Sequence, residues 1–174
     1  MRQFVGRMGP ALDGRDPIAP GAGRPGRLLV SPAVSTTSDN KALITRFWAD
    51  LARRDFDAVG AYFAPDGHYT DVPAPEEGAF GPAEIEARLR LGIEPLQAYV
   101  CHEGVITAEG DRVITEHDET WTWDDEHTAT LPFVSVMELD DDGAITRWWD
   151  YWDMGTLMGA APEWWVTHIM SGYK

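Results

Sequence analysis

Cysteine is nearly absent from this chain. Cys101 is the one cysteine among 174 residues, which excludes an intramolecular disulfide and a cysteine-built zinc cage, and leaves a small residue expected to pack in the core. No apolar run approaches the roughly 18 residues of a membrane helix, and the first residues lack the apolar segment of a secretory signal. Neither a Gly-rich phosphate loop nor an internal repeat occurs. Positive charge is scarce too: 14 Lys and Arg stand against 29 Asp and Glu, a formal net charge of −15. A field of that sign repels phosphate backbones and anionic lipid. These absences predict a soluble, cytoplasmic protein with no nucleic-acid and no membrane partner.

Apolar residues make up 44% of the chain and charged residues 25%, the proportions of a globular domain with its own core. The charge is unevenly spread. Residues 1–37 hold five Arg and two Asp with many Gly and Pro, and show no helical or strand period. They read as a flexible basic arm. Residues 38–174 hold nine Lys and Arg against 27 Asp and Glu, and read as a single acidic domain. Eight Trp, several in tight clusters, are either a heavily built core or the wall of an apolar cavity.

Ser38-Asp39-Asn40 offers N-caps to an amphipathic helix carrying Leu43, Ile44, Phe47, Trp48 and Leu51 as far as Arg54. Phe56, Val59, Tyr62 and Phe63 predict a second helix ended by Pro65-Asp66-Gly67, and Gly81-Pro82 opens a third over Ala83–Leu91. Between these, His68–Val72 reads as a short strand. After Pro95 the period changes to two, predicting antiparallel strands at Gln97–Ala108, Asp111–Trp123, Thr128–Leu139 and Ala144–Trp152. Helices followed by a meander predict an α+β fold in which a bent sheet wraps around helices and leaves a hollow. The tail, with Met154–Ala160 and Pro162-Glu163-Trp164-Trp165, reads as a lid or a dimer contact.

Three constellations could carry chemistry. Alternation puts His117, Glu119, Trp121 and Trp123 on one face of their strand, where a His and a carboxylate two residues apart can share a proton. If that face looks outward, both groups are merely solvated. A metal is not expected, because no third ligand has a diagnostic spacing. In the last strand Trp148, Asp150 and Trp152 share a face, and a carboxylate between indoles is costly to bury unless paired or used. Tyr69 and Asp71 also share parity, and both can reach one water or one substrate oxygen. Asp71 equally suits a turn cap before Pro73.

Taken in order, Tyr69-Thr70-Asp71-Val72-Pro73, Thr115-Glu116-His117-Asp118-Glu119 and Ile145-Thr146-Arg147-Trp148-Trp149-Asp150-Tyr151-Trp152-Asp153 resemble the limonene-epoxide-hydrolase branch of the nuclear-transport-factor-2-like (SnoaL-like) superfamily, over about residues 38–160. The resemblance implies a cone-shaped α+β barrel of curved antiparallel sheet around N-terminal helices, a homodimer, no cofactor, and hydrolysis of an epoxide on a small apolar molecule. By position it makes Asp150 the base that takes a proton from water, Glu119 the acid that protonates the epoxide oxygen, and Tyr69 a water-holding phenol. Three positions depart from that branch. Its bridging Arg is His117 here, its acid Asp is Glu119, and its Asn is Asp71, so that His117 would bridge two carboxylates and Asp71 would compete with Asp150 for a proton.

A ketosteroid isomerase of the same fold would need electrophiles where Phe47 and Ser135 stand. A dehydratase or polyketide cyclase remains an alternative, as does a non-catalytic binding module. Pocket walls are expected from Phe47, Trp48, Trp121, Trp123, Phe133, Trp148 and Trp152. Convergence of Glu119, His117 and Asp150 in one cavity would speak for an enzyme.

Overall fold

A computed structural model describes residues 37–74 and 76–172. The arm expected over residues 1–37 lies outside the described residues except at its last position, where α1 (Thr37–Ala52) begins. Ile44, Phe47, Trp48 and Leu51 form the buried face of that helix, as its period predicts. Asn40 is no cap. It lies within the first turn, 2% exposed, and its Nδ2 donates to the Gly110 carbonyl at 2.9 Å, tying the helix to a strand turn.

The second helix is shorter than its apolar residues suggest. α2 (Phe56–Gly60) is capped by the Asp55 carboxylate on the Ala58 N–H and stops there. Tyr62 and Phe63 are not helical. Phe63 instead starts β1 (Phe63–Asp71), which runs beside the last strand. Pro65-Asp66-Gly67 form not a helix stop but a bulge between Phe63 and His68. Pro65 has no N–H for the ladder, and a Cβ at position 67 would sit 2.9 Å from the Ile145 carbonyl oxygen. A two-residue strand, β2 (Ala79–Phe80), then leads into α3 (Gly81–Ile93), longer than expected at both ends and with Pro82 in its first turn.

The stretch 97–108, expected as one strand, breaks into β3 (Ala98–Cys101) and β4 (Val105–Glu109). The break falls at His102-Glu103-Gly104. A Cβ on residue 104 would lie 2.0 Å from the Glu116 carbonyl oxygen and 2.7 Å from the His117 Cβ, so only glycine allows the chain to cross there. Both pieces pair with one edge of β5 (Arg112–Thr122), β3 along Glu119–Thr122 and β4 along Arg112–Glu116. β6 (Thr128–Leu139) and β7 (Ile145–Trp152) complete the antiparallel meander. The seven-stranded sheet has the order β2-β1-β7-β6-β5-β3, with β4 also on β5, and β1 runs parallel to β7. The tail forms two helices, α4 (Met154–Ala160) and α5 (Glu163–Gly172).

The fold is therefore α+β, with a strongly curled sheet whose inner face packs on helices. Strict alternation of burial along β5 and β6 drives that curl to one side: Val113, Thr115, His117, Glu119 and Trp121 all face inward. Among the described residues no helix is long and apolar enough to cross a membrane.

Candidate active site

The inner face of the sheet and helices α3, α4 and α5 enclose a cavity of about 310 Å³, open at one side. Its wall is apolar apart from Tyr69, Asp71, Glu76, Arg88, Tyr99, Glu119 and Asp150. Two register relations assemble these groups. The parallel pairing of β1 with β7 sets Asp71 opposite Asp150 and Tyr69 opposite Trp148. The antiparallel pairing of β6 with β7 sets Ser135 opposite Asp150.

Asp150 is 3% exposed. Its Oδ1 accepts a hydrogen bond from Trp148 Nε1 at 2.6 Å and another from the Ser135 hydroxyl. Its Oδ2 lies 3.4 Å from the Tyr69 hydroxyl. Burial pushes the Asp150 carboxyl well above the usual carboxylate range; the charges of Asp71 and Glu119 push the same way, and the Ser135 and Trp148 hydrogen bonds pull back. The proton competition expected between Asp71 and Asp150 thus raises Asp150.

Asp71 has a cation of its own. Its Oδ2 accepts from Arg88 Nε at 2.9 Å, while Oδ1 accepts from the Tyr69 hydroxyl at 2.5 Å and from Trp152 Nε1 at 3.1 Å. Arg88 also reaches Glu76 at 3.5 Å. Tyr69 stacks on Trp148 with ring centroids 4.1 Å apart. Burial first, then the charges of Asp71 and Asp150, raise its phenol well above its ordinary value, so it stays a neutral donor.

Glu119, 3% exposed, lines the same cavity from β5. Trp121 Nε1 donates to its Oε2 at 2.8 Å, and His117 Nε2 lies 3.1 Å from Oε1. His117 itself is not in the cavity wall. Its ring packs at 4.3 Å from that of Trp48 and 5.9 Å from that of Phe133. It borders a second hollow, shared with Trp48 and Cys101. It contacts one carboxylate, and does not bridge two.

Of the expected wall, Trp121, Phe133, Trp148 and Trp152 line the cavity; Phe47, Trp48 and Trp123 do not. Phe47 is fully buried beneath the site, edge-on to Trp148 at 5.2 Å. Trp48 turns away to donate Nε1 to the Thr115 hydroxyl at 3.1 Å. Trp123 packs against Trp165 at 5.4 Å. In their place the tail supplies Met154, Leu157, Met158, Trp165, Ile169 and Met170.

Arg88 and Ser135 were not identified as site groups in the sequence. Ser135 carried a signal, a polar residue at inward parity between Phe133 and Met137. Arg88 lies one position from the apolar row Ile85, Leu89 and Ile93, and nothing in its spacing marks it.

The family described as "SnoaL-like domain" matches residues 44–148. No curated protein matches the chain. Among solved structures, an LEH-like epoxide hydrolase of M. tuberculosis is 23% identical with a TM-score of 0.60, covering 79% of this chain and 98% of its own. A SnoaL-like polyketide cyclase of Shewanella putrefaciens is 16% identical with a TM-score of 0.62, covering 70% and 94% respectively. A hypothetical protein of Catenulispora acidiphila with a ketosteroid isomerase-like fold is 18% identical with a TM-score of 0.61, covering 68% and 90%. At these identities the likeness is one of fold.

Proposed function

Starting from the fact that the chain belongs to the SnoaL-like domain family, we propose that it is an enzyme that adds water to an epoxide on a small, uncharged, apolar molecule. The observation that supports this most is the Asp150 carboxyl on the cavity wall. One oxygen is held by Trp148 and Ser135, and the other faces the Tyr69 hydroxyl. A water between Asp150, Tyr69 and Asp71 would give a proton to Asp150 Oδ2 as its oxygen attacks an epoxide carbon. The carbon–oxygen bond of the ring breaks, and the leaving oxygen takes a proton from Glu119 across the cavity. Epoxide and water give one diol, with no redox change. A raised proton affinity suits a base working near neutral pH, because proton-transfer efficiency is greatest when pKa and pH are close.

The volume of about 310 Å³ is at the lower end of the range of small-molecule pockets. It favours a compact substrate over the extended polycycles a polyketide cyclase handles. The structural likeness to an epoxide hydrolase supports the reaction only as far as the fold goes.

Asp150→Asn is expected to lower diol formation from a terpene- or styrene-type epoxide by roughly 100- to 10,000-fold while leaving the fold intact. An unchanged rate would remove Asp150 from the mechanism. In oxygen-labelled water the diol should carry one label per molecule. A product formed without label uptake would instead point to elimination or cyclisation. The pH profile fixes the direction of proton flow: with Asp150 as base, the rate climbs as pH rises through its raised pKa. A rate that does not climb through that range would remove Asp150 as the base.

A further inference from the structure

Behind the cavity, three potential metal ligands come together that no spacing along the chain reveals. Cys101 on β3 is paired directly opposite Glu119 on β5, and His117 lies two residues before Glu119 on the same face. One donor atom from each residue lies within 4.8 Å of the other two. His117 Nε2 is 3.1 Å, and Cys101 Sγ 3.8 Å, from Glu119 Oε1. A tetrahedral zinc with bonds of about 2.3 Å to sulfur and about 2.0–2.1 Å to nitrogen and oxygen spaces its ligand atoms about 3.3–3.6 Å apart. The two contacts to Glu119 Oε1 lie within a few tenths of an ångström of that spacing.

A second observation is independent of the cysteine. The His117 side chain is 3% exposed, and its Nδ1 is buried with no hydrogen-bond partner, on a ring that borders the same hollow as Cys101. A buried imidazole left half satisfied is costly in a purely structural role, and its other nitrogen, Nε2, already faces Glu119.

We infer that Cys101, His117 and Glu119 form a binding site for a divalent cation of zinc type, and that an occupied site withdraws Glu119 from the cavity's acid–base chemistry. The thiol gives its proton to solvent as the metal–sulfur bond forms, and no electron is transferred. Solvent in the hollow completes the fourth position. Burial and the neighbouring Glu119 charge push the thiol far above its ordinary value, so without a cation Cys101 is an inert thiol; the cation compensates the charges of both groups at once. The inhibitory consequence rests on the hydrolase reading above, whereas the site does not.

The test is titration of the chelator-treated full chain with Co²⁺ and Zn²⁺, in competition with a chromophoric chelator. One equivalent should bind, cobalt should show a thiolate charge-transfer band, and Cys101→Ala should lose the band and weaken zinc binding by roughly 100-fold or more. Absence of the band, or a Cys101→Ala variant that binds as tightly as the parent, overturns the site. In parallel, one equivalent of Zn²⁺ should suppress diol formation by the parent and not by Cys101→Ala, each compared with its own metal-free rate. Full diol formation at full occupancy overturns the link to Glu119. Metal binding as expected, in a protein that forms no diol even when metal-free, would leave the site standing and refute the hydrolase reading.

Discussion

Replacing Asp150 by Asn should make the protein more stable, by an amount that grows with pH. The carboxyl is 3% exposed, and its proton affinity is raised by burial and by the charges of Asp71 and Glu119. In the unfolded chain an aspartate titrates near 3.9. Between that value and the raised native value, the folded protein holds a proton that the unfolded one has released. Stability attributable to Asp150 is therefore full below about pH 4 and lost as pH rises through the native pKa, at about 1.4 kcal/mol per pH unit. Asn does not titrate. Its carbonyl oxygen can still accept from Trp148 and Ser135, and one of its amide N–H groups can donate to the Tyr69 oxygen. The difference between variant and parent isolates the one group, because the other titrations largely cancel. For a chain of this size that difference corresponds to a gain of roughly 3–6 °C in melting temperature per pH unit across the window, then a plateau. Denaturant unfolding of both proteins from pH 4 to pH 9 measures it, and the pH of the plateau reports the native pKa. A difference that stays flat from pH 4 upward would refute the raised proton affinity and, with it, the case for Asp150 as a base near neutrality.

Ser135→Ala removes a hydrogen bond that favours the ionised form of Asp150; the acid limb of the pH–rate profile should move to higher pH, whereas an unmoved limb would mean the hydroxyl does not act on Asp150. Arg88→Met leaves Asp71 buried without its cation and is expected to cost about 3 kcal/mol in denaturant unfolding, much more than an exposed Arg such as Arg53 would. Gly104→Ala forces a Cβ to within 2.0 Å of the Glu116 carbonyl oxygen; a stability loss of at least about 1 kcal/mol should appear with altered amide-exchange protection at the β3–β4 break. A neutral result there would mean the break is set by something other than backbone contact.

Period-two burial was the legible part of the sequence. It assigned His117, Glu119 and Trp121 to one face, Trp148, Asp150 and Trp152 to another, and Tyr69 with Asp71 to a third, and all of these are buried or half-buried inward positions. What joins one strand to the next was not legible. Ser135 meets Asp150 and Cys101 meets Glu119 through register, and Arg88 meets Asp71 through helix packing. None of these leaves a period in the chain. Local helical propensity misled at Tyr62 and Phe63, because strand pairing of Phe63 with Ile145 overrides it. The break at Gly104 was marked by its glycine, yet the alternation on both sides concealed it. The aromatic count was informative in number and uninformative in place: Trp48 and Trp123 went to the core, and Trp165 from the tail came to the cavity.

The abundance of Trp and the scarcity of basic residues have one physical explanation at this site. Three of the four cavity carboxylates accept a hydrogen bond from an indole N–H: Glu119 from Trp121, Asp150 from Trp148, and Asp71 from Trp152. An indole is a donor with no acceptor and no charge. It satisfies a buried oxygen while the rest of its ring keeps the wall apolar, so the carboxylate is held in place without the strong depression of its proton affinity that a cation imposes. Arg88 supplies that cation to Asp71 at 2.9 Å and to Glu76 at 3.5 Å, and not to Asp150 or Glu119. Asp71 is thereby held in place beside Tyr69, and its charge acts on Asp150, which has indole and hydroxyl donors but no cation. Two aspartates aligned by one register are thus given different partners: Asp71 a guanidinium, and Asp150 only uncharged donors in a site whose burial raises its proton affinity.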